Sequence, residues 1–217
     1  MDVRFVDTTL RDGSQSLWAT RMRGGMIDSV ADPIDMAGFA AVEVLVGAVF
    51  MKKAIRELRE NPWDIVRLIA RKMPRSTKTA MVVGNVLAFE KSPRELYELY
   101  FKRIVAAGAL NRVQIMANTA DELTRDYPFL VPFFHGLGVQ VAGALCYTIS
   151  PRHTDAYFAE TTRRIAAFKP EAIYIKDAGG LLTVDRLRTL ARLAFDHSGD
   201  ASVPPQGVAG TSRVVSC

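Results

Sequence analysis

Two periods alternate along this chain. Short runs in which almost every residue is apolar, many of them β-branched, fall at 3–7, 41–46, 78–83, 112–116, 139–147 and 172–176. Between them lie longer stretches whose apolar residues return every three or four positions. The first pattern is that of strands covered on both faces, and the second that of amphipathic helices. The spacing predicts a helix ending near Gly38, a short one over 50–59, and one opened by Asn61-Pro62 with proline at its first position. Further helices are predicted from Ser92-Pro93 to Ala107, up to about Leu137, over 154–168, and over 183–195 with Thr183 as N-cap. After residue 197 the pattern stops: Gly199, Pro204, Pro205, Gly207 and Gly210 mark 198–217 as an irregular tail behind a domain over 1–197.

Six β-then-α units in succession call for a parallel sheet with helical crossovers. Both a doubly wound open sheet and a (β/α) barrel meet that description. No Gly-rich dinucleotide fingerprint follows the first strand, which weakens the doubly wound option. Pattern alone leaves the two open.

Composition narrows the class. The chain has 217 residues, 49% hydrophobic and 24% charged, with a net charge of +5, which is the make-up of a globular protein with a sizeable core. The longest apolar stretch, near 40–50, is broken by Glu43 and is too short to cross a membrane. The N-terminus enters a strand-like run at once, without the layout of a signal peptide. With Cys146 and Cys217 the only cysteines, a reducing cytoplasm is the expected compartment. Arg56, Arg59, Arg67, Arg71 and Lys72 lie along helical segments without interleaved aromatics and read as solvated faces, not a nucleic-acid surface.

The densest chemistry follows the first strand, where Thr8, Thr9, Arg11, Asp12 and Gln15 crowd one loop. A carboxylate beside a guanidinium at a strand's C-terminal end can hold a cation and an oxyanion side by side. The same residues also suit an ordinary βα loop whose Asp and Thr side chains cap backbone groups. Glu43 places a carboxylate in an apolar strand and needs a cationic partner, for which Arg11 is the candidate. Cys146 and Tyr147, at the end of the fifth strand, read equally as pocket lining and as a packed pair.

The core Asp7-Thr8-Thr9-Leu10-Arg11-Asp12-Gly13 resembles the first-strand signature of the DRE-TIM metallolyase superfamily. Its continuation, Gln15-Ser16-Leu17-Trp18-Ala19-Thr20-Arg21-Met22-Arg23, is more specific and resembles the carboxyltransferase domains of pyruvate carboxylase, oxaloacetate decarboxylase and transcarboxylase. Asn61-Pro62-Trp63 is similar to a helix start of that family, and Tyr174-Ile175-Lys176-Asp177-Ala178-Gly179-Gly180-Leu181-Leu182 to its Ile-Lys-Asp-Met-Ala-Gly-Leu-Leu block. The resemblance spans about 3–194. It implies a TIM (β/α)8-type barrel, represented by about six βα units, with the site at the C-terminal ends of the strands.

What the resemblance implies chemically is metal-dependent carboxyl transfer to, or decarboxylation of, a small α-keto acid of the pyruvate or oxaloacetate type through an enolate. An aldol-type lyase or acyl-CoA condensing enzyme of the wider superfamily is the enzymatic alternative. Asp12 takes the place of a metal ligand and Lys176 that of a lysine whose carbamate ligates the metal. Arg11 would stabilise the enolate and Gln15 would hydrogen-bond the keto acid. The implied cofactors are a divalent ion (Zn, Mn, Co or Mg) and biotin on a partner carboxyl carrier. A homo-oligomer is the expected assembly.

The chain also departs from the family. The His-x-His pair that completes the metal site has no counterpart, since His135, His153 and His197 are never spaced as a pair. His135 reads as a packed or rim residue, and His197 as part of a helix C-terminal cap. Val83 stands where the family has an arginine, Ser14 where it has a histidine, and Val46-Gly47-Ala48 where it has Trp-Gly-Gly. These departures raise a third possibility, an inactive domain retained only to bind partners.

Overall fold

The computed structural model describes residues 4–84, 86, 87 and 90–199. Val3 and nearly all of the expected tail lie outside them. In chain order, β1 (Val6–Asp7) leads through a π-helical turn (Thr9–Gly13) into α1 (Ser14–Trp18), followed by α2 (Gly24–Met36). Next come β2 (Ala41–Glu43), α3 (Ala48–Lys53) with a second π-helical turn (Ala54–Leu58), α4 (Pro62–Lys72) and β3 (Lys78–Val82). A hairpin of β4 (Val86–Leu87) and β5 (Glu90–Lys91) precedes α5 (Arg94–Ala106) and β6 (Arg112–Ile115). The chain continues through α6 (Ala120–Gly136), β7 (Gln140–Cys146), α7 (Asp155–Ala166), β8 (Ala172–Lys176) and α8 (Val184–His197).

The main sheet has the strand order β1-β2-β3-β6-β7-β8. Each new strand is added on the same side of the last. A doubly wound sheet requires the order to reverse at a switch point, and here it never does. The singly wound order of a (β/α) barrel wall is therefore the one observed. The predicted strands are present, in places shorter: β2 leaves the ladder after Glu43, although the Val44 N–H still donates to the Thr79 carbonyl at 2.9 Å. The hairpin β4–β5 was not expected, because two-residue strands leave no periodicity to read.

The described residues form two compact units, 4–113 with 137–139 and 114–136 with 140–199. In the N-terminal unit β1, β2 and β3 pair in parallel, with Val6 opposite Ala41 and Glu43 opposite Thr79. α4 shows how local sequence sets an element. The Asn61 side chain accepts the Trp63 N–H at 3.0 Å, Pro62 occupies the first turn, and Ile65, Val66 and Ile69 form the buried stripe. The expected Ser92-Pro93 cap is reduced to Pro93, which holds the N-cap position of α5 without a side-chain bond.

In the C-terminal unit β7 and β8 pair in parallel over five residues, from Ala142 opposite Ala172 to Cys146 opposite Lys176. Side chains alternate across a strand, so Ala142, Ala144, Ala172 and Tyr174 gather on one face, with Cys146 packed against them. The same alternation continues that face to Lys176 at the strand's C-terminal end. Gly143 turns to the other face, where a Cβ would stand 2.4 Å from Ile165 Cγ2 on α7. Thr154 and Thr183 cap α7 and α8 by accepting the N–H groups of Tyr157 and Arg186.

Candidate active site

The loop after β1 is wound tightly. The N–H groups of Asp12 and Gly13 both donate to the Thr8 carbonyl, at 2.8 and 3.0 Å, closing a π-helical turn. Wide turns of this kind are rare and are often found at functional sites. Ser14, fully buried at the start of α1, ties down the segment beyond α1: its carbonyl accepts the Thr20 N–H and its Oγ the Met22 N–H. Between these ties Ala19 and Thr20 both take positive φ, 49° and 64°, a conformation non-glycine residues adopt only when held. No glycine announces that turn, and nothing in the residue pattern marks Ser14 as its anchor.

The loop's polar residues divide into two groups. The Asp7 carboxylate accepts the backbone N–H and the hydroxyl of Thr9, which is local capping. Arg11 and Asp12 do something else. The Arg11 guanidinium donates to Asp12 at 3.0 Å through NH1, and its NH2 lies 2.6 Å from the Glu43 carboxylate. Glu43 is completely buried, and the Arg11 and Asp12 side chains are only 12% and 14% exposed. The lone carboxylate of strand β2 thus finds the cation expected of it. The Arg11 Nε is buried and has no acceptor among the described residues. Thr79, opposite Glu43 in the ladder, likewise carries a buried hydroxyl without a partner among them; a threonine in a strand gives no warning of this. Gln15 is exposed on α1.

In the other unit Lys176 ends β8, nearly buried, and its carbonyl accepts the Tyr147 N–H at 2.8 Å. The Asp177 carboxylate accepts the N–H groups of Leu181 and Leu182, at 3.0 and 2.8 Å, and so organises the loop ahead of α8. Cys146 is the cross-strand partner of Lys176. Burial pushes its thiol up to about 11, against the opposing pull of the Lys176 charge.

The histidines are engaged elsewhere. His135 lies 3.2 Å from Glu171, and His153 Nδ1 is 2.7 Å from the Ser150 hydroxyl. The C-terminal cap of α8, expected to involve His197, is made by Ser198, whose hydroxyl donates to the Phe195 carbonyl at 3.0 Å. Nδ1 of His197 is buried without a partner among the described residues. Among those residues no three His, Cys, Asp or Glu side chains cluster as metal donors. Asp12, and Lys176 once carbamylated, are two donors of fitting chemistry, whereas a protein-bound divalent ion takes four or more ligands. The described residues therefore do not complete such a site.

No family model matches the chain. It is 34% identical over 213 residues to a pyruvate carboxylase subunit of Methanocaldococcus jannaschii, covering 90% of this chain and 35% of that protein. It is 31% identical over 185 residues to the methylmalonyl-CoA carboxyltransferase 5S subunit of Propionibacterium freudenreichii subsp. shermanii, covering 83% of this chain and 35% of that one. The chain thus spans about a third of the length of these relatives. In fold it matches the carboxyl transferase domain of Rhizobium etli pyruvate carboxylase, solved with pyruvate, at a TM-score of 0.76 and 22% identity over 95% of this chain and 40% of that one. Sequence and fold agree, and the chain belongs to the carboxyltransferase-domain family of pyruvate carboxylase and transcarboxylase.

Proposed function

We propose that this chain carries the Arg11 and Lys176 portions of a biotin-dependent carboxyltransferase site that acts on a small α-keto acid of the pyruvate or oxaloacetate type. The observation that carries the reading is the buried Glu43–Arg11–Asp12 array on the π-helical turn. A guanidinium fixed between two carboxylates is positioned in advance, and would stabilise an oxyanion such as an enolate oxygen. Gln15, exposed on α1, would hydrogen-bond the keto acid. Asp12, and Lys176 as its carbamate, would be two ligands of a divalent ion, Zn, Mn, Co or Mg. When bound, that ion would supply polarisation of the keto group. The further ligands would have to come from outside the described residues. A carboxyl carrier bearing biotin is the partner this reading requires, and we place the protein in the cytoplasm as a homo-oligomer.

Metal titration and oxaloacetate decarboxylation, with and without bicarbonate, test the reading. The 217-residue chain should bind the ion more tightly in bicarbonate, and Lys176→Ala should abolish that response. Asp12→Asn should weaken binding with or without bicarbonate, and Arg11→Met/Glu43→Leu, which strands no buried charge, should cut turnover by about 10²–10³. Affinity indifferent to bicarbonate and to Asp12→Asn would reject both assigned ligands. The absent His pair favours one other reading, a domain without activity that binds partners only. Unaltered metal binding together with no turnover on oxaloacetate would establish it.

A further inference from the structure

In the N-terminal unit, α4 and α5 do not close on each other along their whole length. They touch where the rings of Trp63 and Tyr100 lie 5.9 Å apart, and again where Gly108, at φ +76°, brings the chain beside Ala70. Between and beside these points runs a groove of about 920 Å³, open to solvent along its length. Val66 and Ala70 line it from α4, and Leu96 and Leu99 line it from α5 while remaining 50% and 52% exposed. These two leucines, one turn apart, form an apolar strip along the α5 border of the groove.

The charge along this groove has one sign. Arg67, Arg71 and Arg103 line it and no carboxylate does. Arg67 is held by Asp64 one turn earlier, but Arg71 and Arg103 meet no carboxylate among the described residues. The chain's other helix arginines are commonly paired, as Arg94 is with Glu98 and Arg188 with Asp185. The lining positions recur on both helices at three- and four-residue intervals: 63, 66, 67, 70 and 71 on α4, and 96, 99, 100 and 103 on α5. On α5 the lining runs from Leu96 to Arg103, eight residues at about 1.5 Å each, which makes this stretch of the groove about 12 Å long, or just over two helical turns. An open trough with that repeat suits a third helix laid between two others, whereas a small ligand is ordinarily enclosed.

We propose that the α4–α5 groove is a docking site for an acidic amphipathic helix of another polypeptide. The helix would set an apolar ridge against Ala70, Leu96 and Leu99, and its flanking carboxylates would pair with Arg71 and Arg103. Apolar anchors at i, i+3 or i+4, and i+7 are the known grammar of helix-in-groove recognition, and the two arginines select the sign of the flanks.

The test uses the full chain and two fluorescent synthetic helices of equal length. Both carry leucines at i, i+3 and i+7, flanked by glutamates in one and by lysines in the other. The glutamate helix should bind at least tenfold more tightly than the lysine helix, and raising the salt concentration should weaken it. Leu99→Asp should reduce glutamate-helix binding at least tenfold. Arg71→Glu/Arg103→Glu should reverse the preference, so that the lysine helix binds better, which loss of fold cannot imitate. Equal binding of the two helices, or binding untouched by Leu99→Asp, overturns the proposal. Dimerisation of the free chain that Leu99→Asp abolishes would assign the groove to a second copy instead. Displacement of the bound glutamate helix by dodecanoate, with the lysine helix bound equally well, would assign it to an amphiphilic small molecule.

Discussion

The Arg11–Glu43 pair decides how the site residue is held. A buried carboxylate beside a guanidinium is costly to desolvate, so the pair contributes position more than stability. Removing one partner strands the other: Glu43→Ala should lower the unfolding free energy by about 3–5 kcal/mol, whereas Arg11→Met/Glu43→Leu should come close to the parent. Urea titration of the three proteins measures this, and a double variant as weak as Glu43→Ala would contradict it. Glu43 was legible because a charge in an apolar run must find an opposite charge, and Arg11 was the nearest in a strand-end loop. Thr79 was not legible, since threonine belongs in strands whether or not its hydroxyl has work to do. Cys146 adds a pH dependence. Burial raises its thiol from an ordinary 9.0 to about 11, with Glu122 adding to the rise and Lys176 opposing it. The folded state therefore favours the protonated thiol, and that stabilisation is full below pH 9 and lost as the pH rises from 9 to 11. At about 1.4 kcal/mol for each tenfold change, the loss is roughly 2–3 kcal/mol. The difference in stability between the parent and Cys146→Ala should shrink by that amount across this interval; a difference independent of pH would refute the assignment.

Elements were read from the sequence where their boundaries have local causes. Thr183 before α8 and Asn61-Pro62 before α4 act as caps by bonds the residue types dictate. Thr183→Ala should therefore cost about 1 kcal/mol, measured by thermal or chemical melting. The π-helical turn at Thr9–Gly13 and the positive φ of Ala19 and Thr20 escaped the reading, because both are imposed by bonds to the Thr8 carbonyl and to Ser14. Close approach between elements was equally silent. Gly143 of β7 looks like any strand glycine, yet it lets α7 lie so close that an added methyl would overlap Ile165 and crowd the Tyr127 hydroxyl, 3.2 Å away. We expect Gly143→Ala to destabilise by about 1–3 kcal/mol, and to cost much less when Ile165→Ala has already cleared the space. Additive losses in the double variant would show that the helix moves freely and that the glycine is there for another reason.

At the scale of the molecule, the strand order has consequences for how the 217-residue chain behaves alone. In a closed barrel the last strand pairs with the first, so no edge is left. Here β1 and β8 end the order, and neither has a second strand partner among the described residues. The two edges differ. β1 pairs over two residues, whereas β8 offers five, four of them apolar and three of those buried. A long edge with unpaired backbone groups and apolar side chains is a template for another strand. A net charge of +5 offers only weak repulsion against that. The chain purified alone should therefore associate through β8, with sedimentation showing species that grow with concentration and a broad thermal transition. Leu99→Asp should leave this association unchanged, since the α4–α5 groove takes no part in it, and high salt should strengthen it by screening the repulsion. A sharp, concentration-independent melt from a monomer would mean that the β8 edge is covered within the chain itself, and the open strand order would then be wrong.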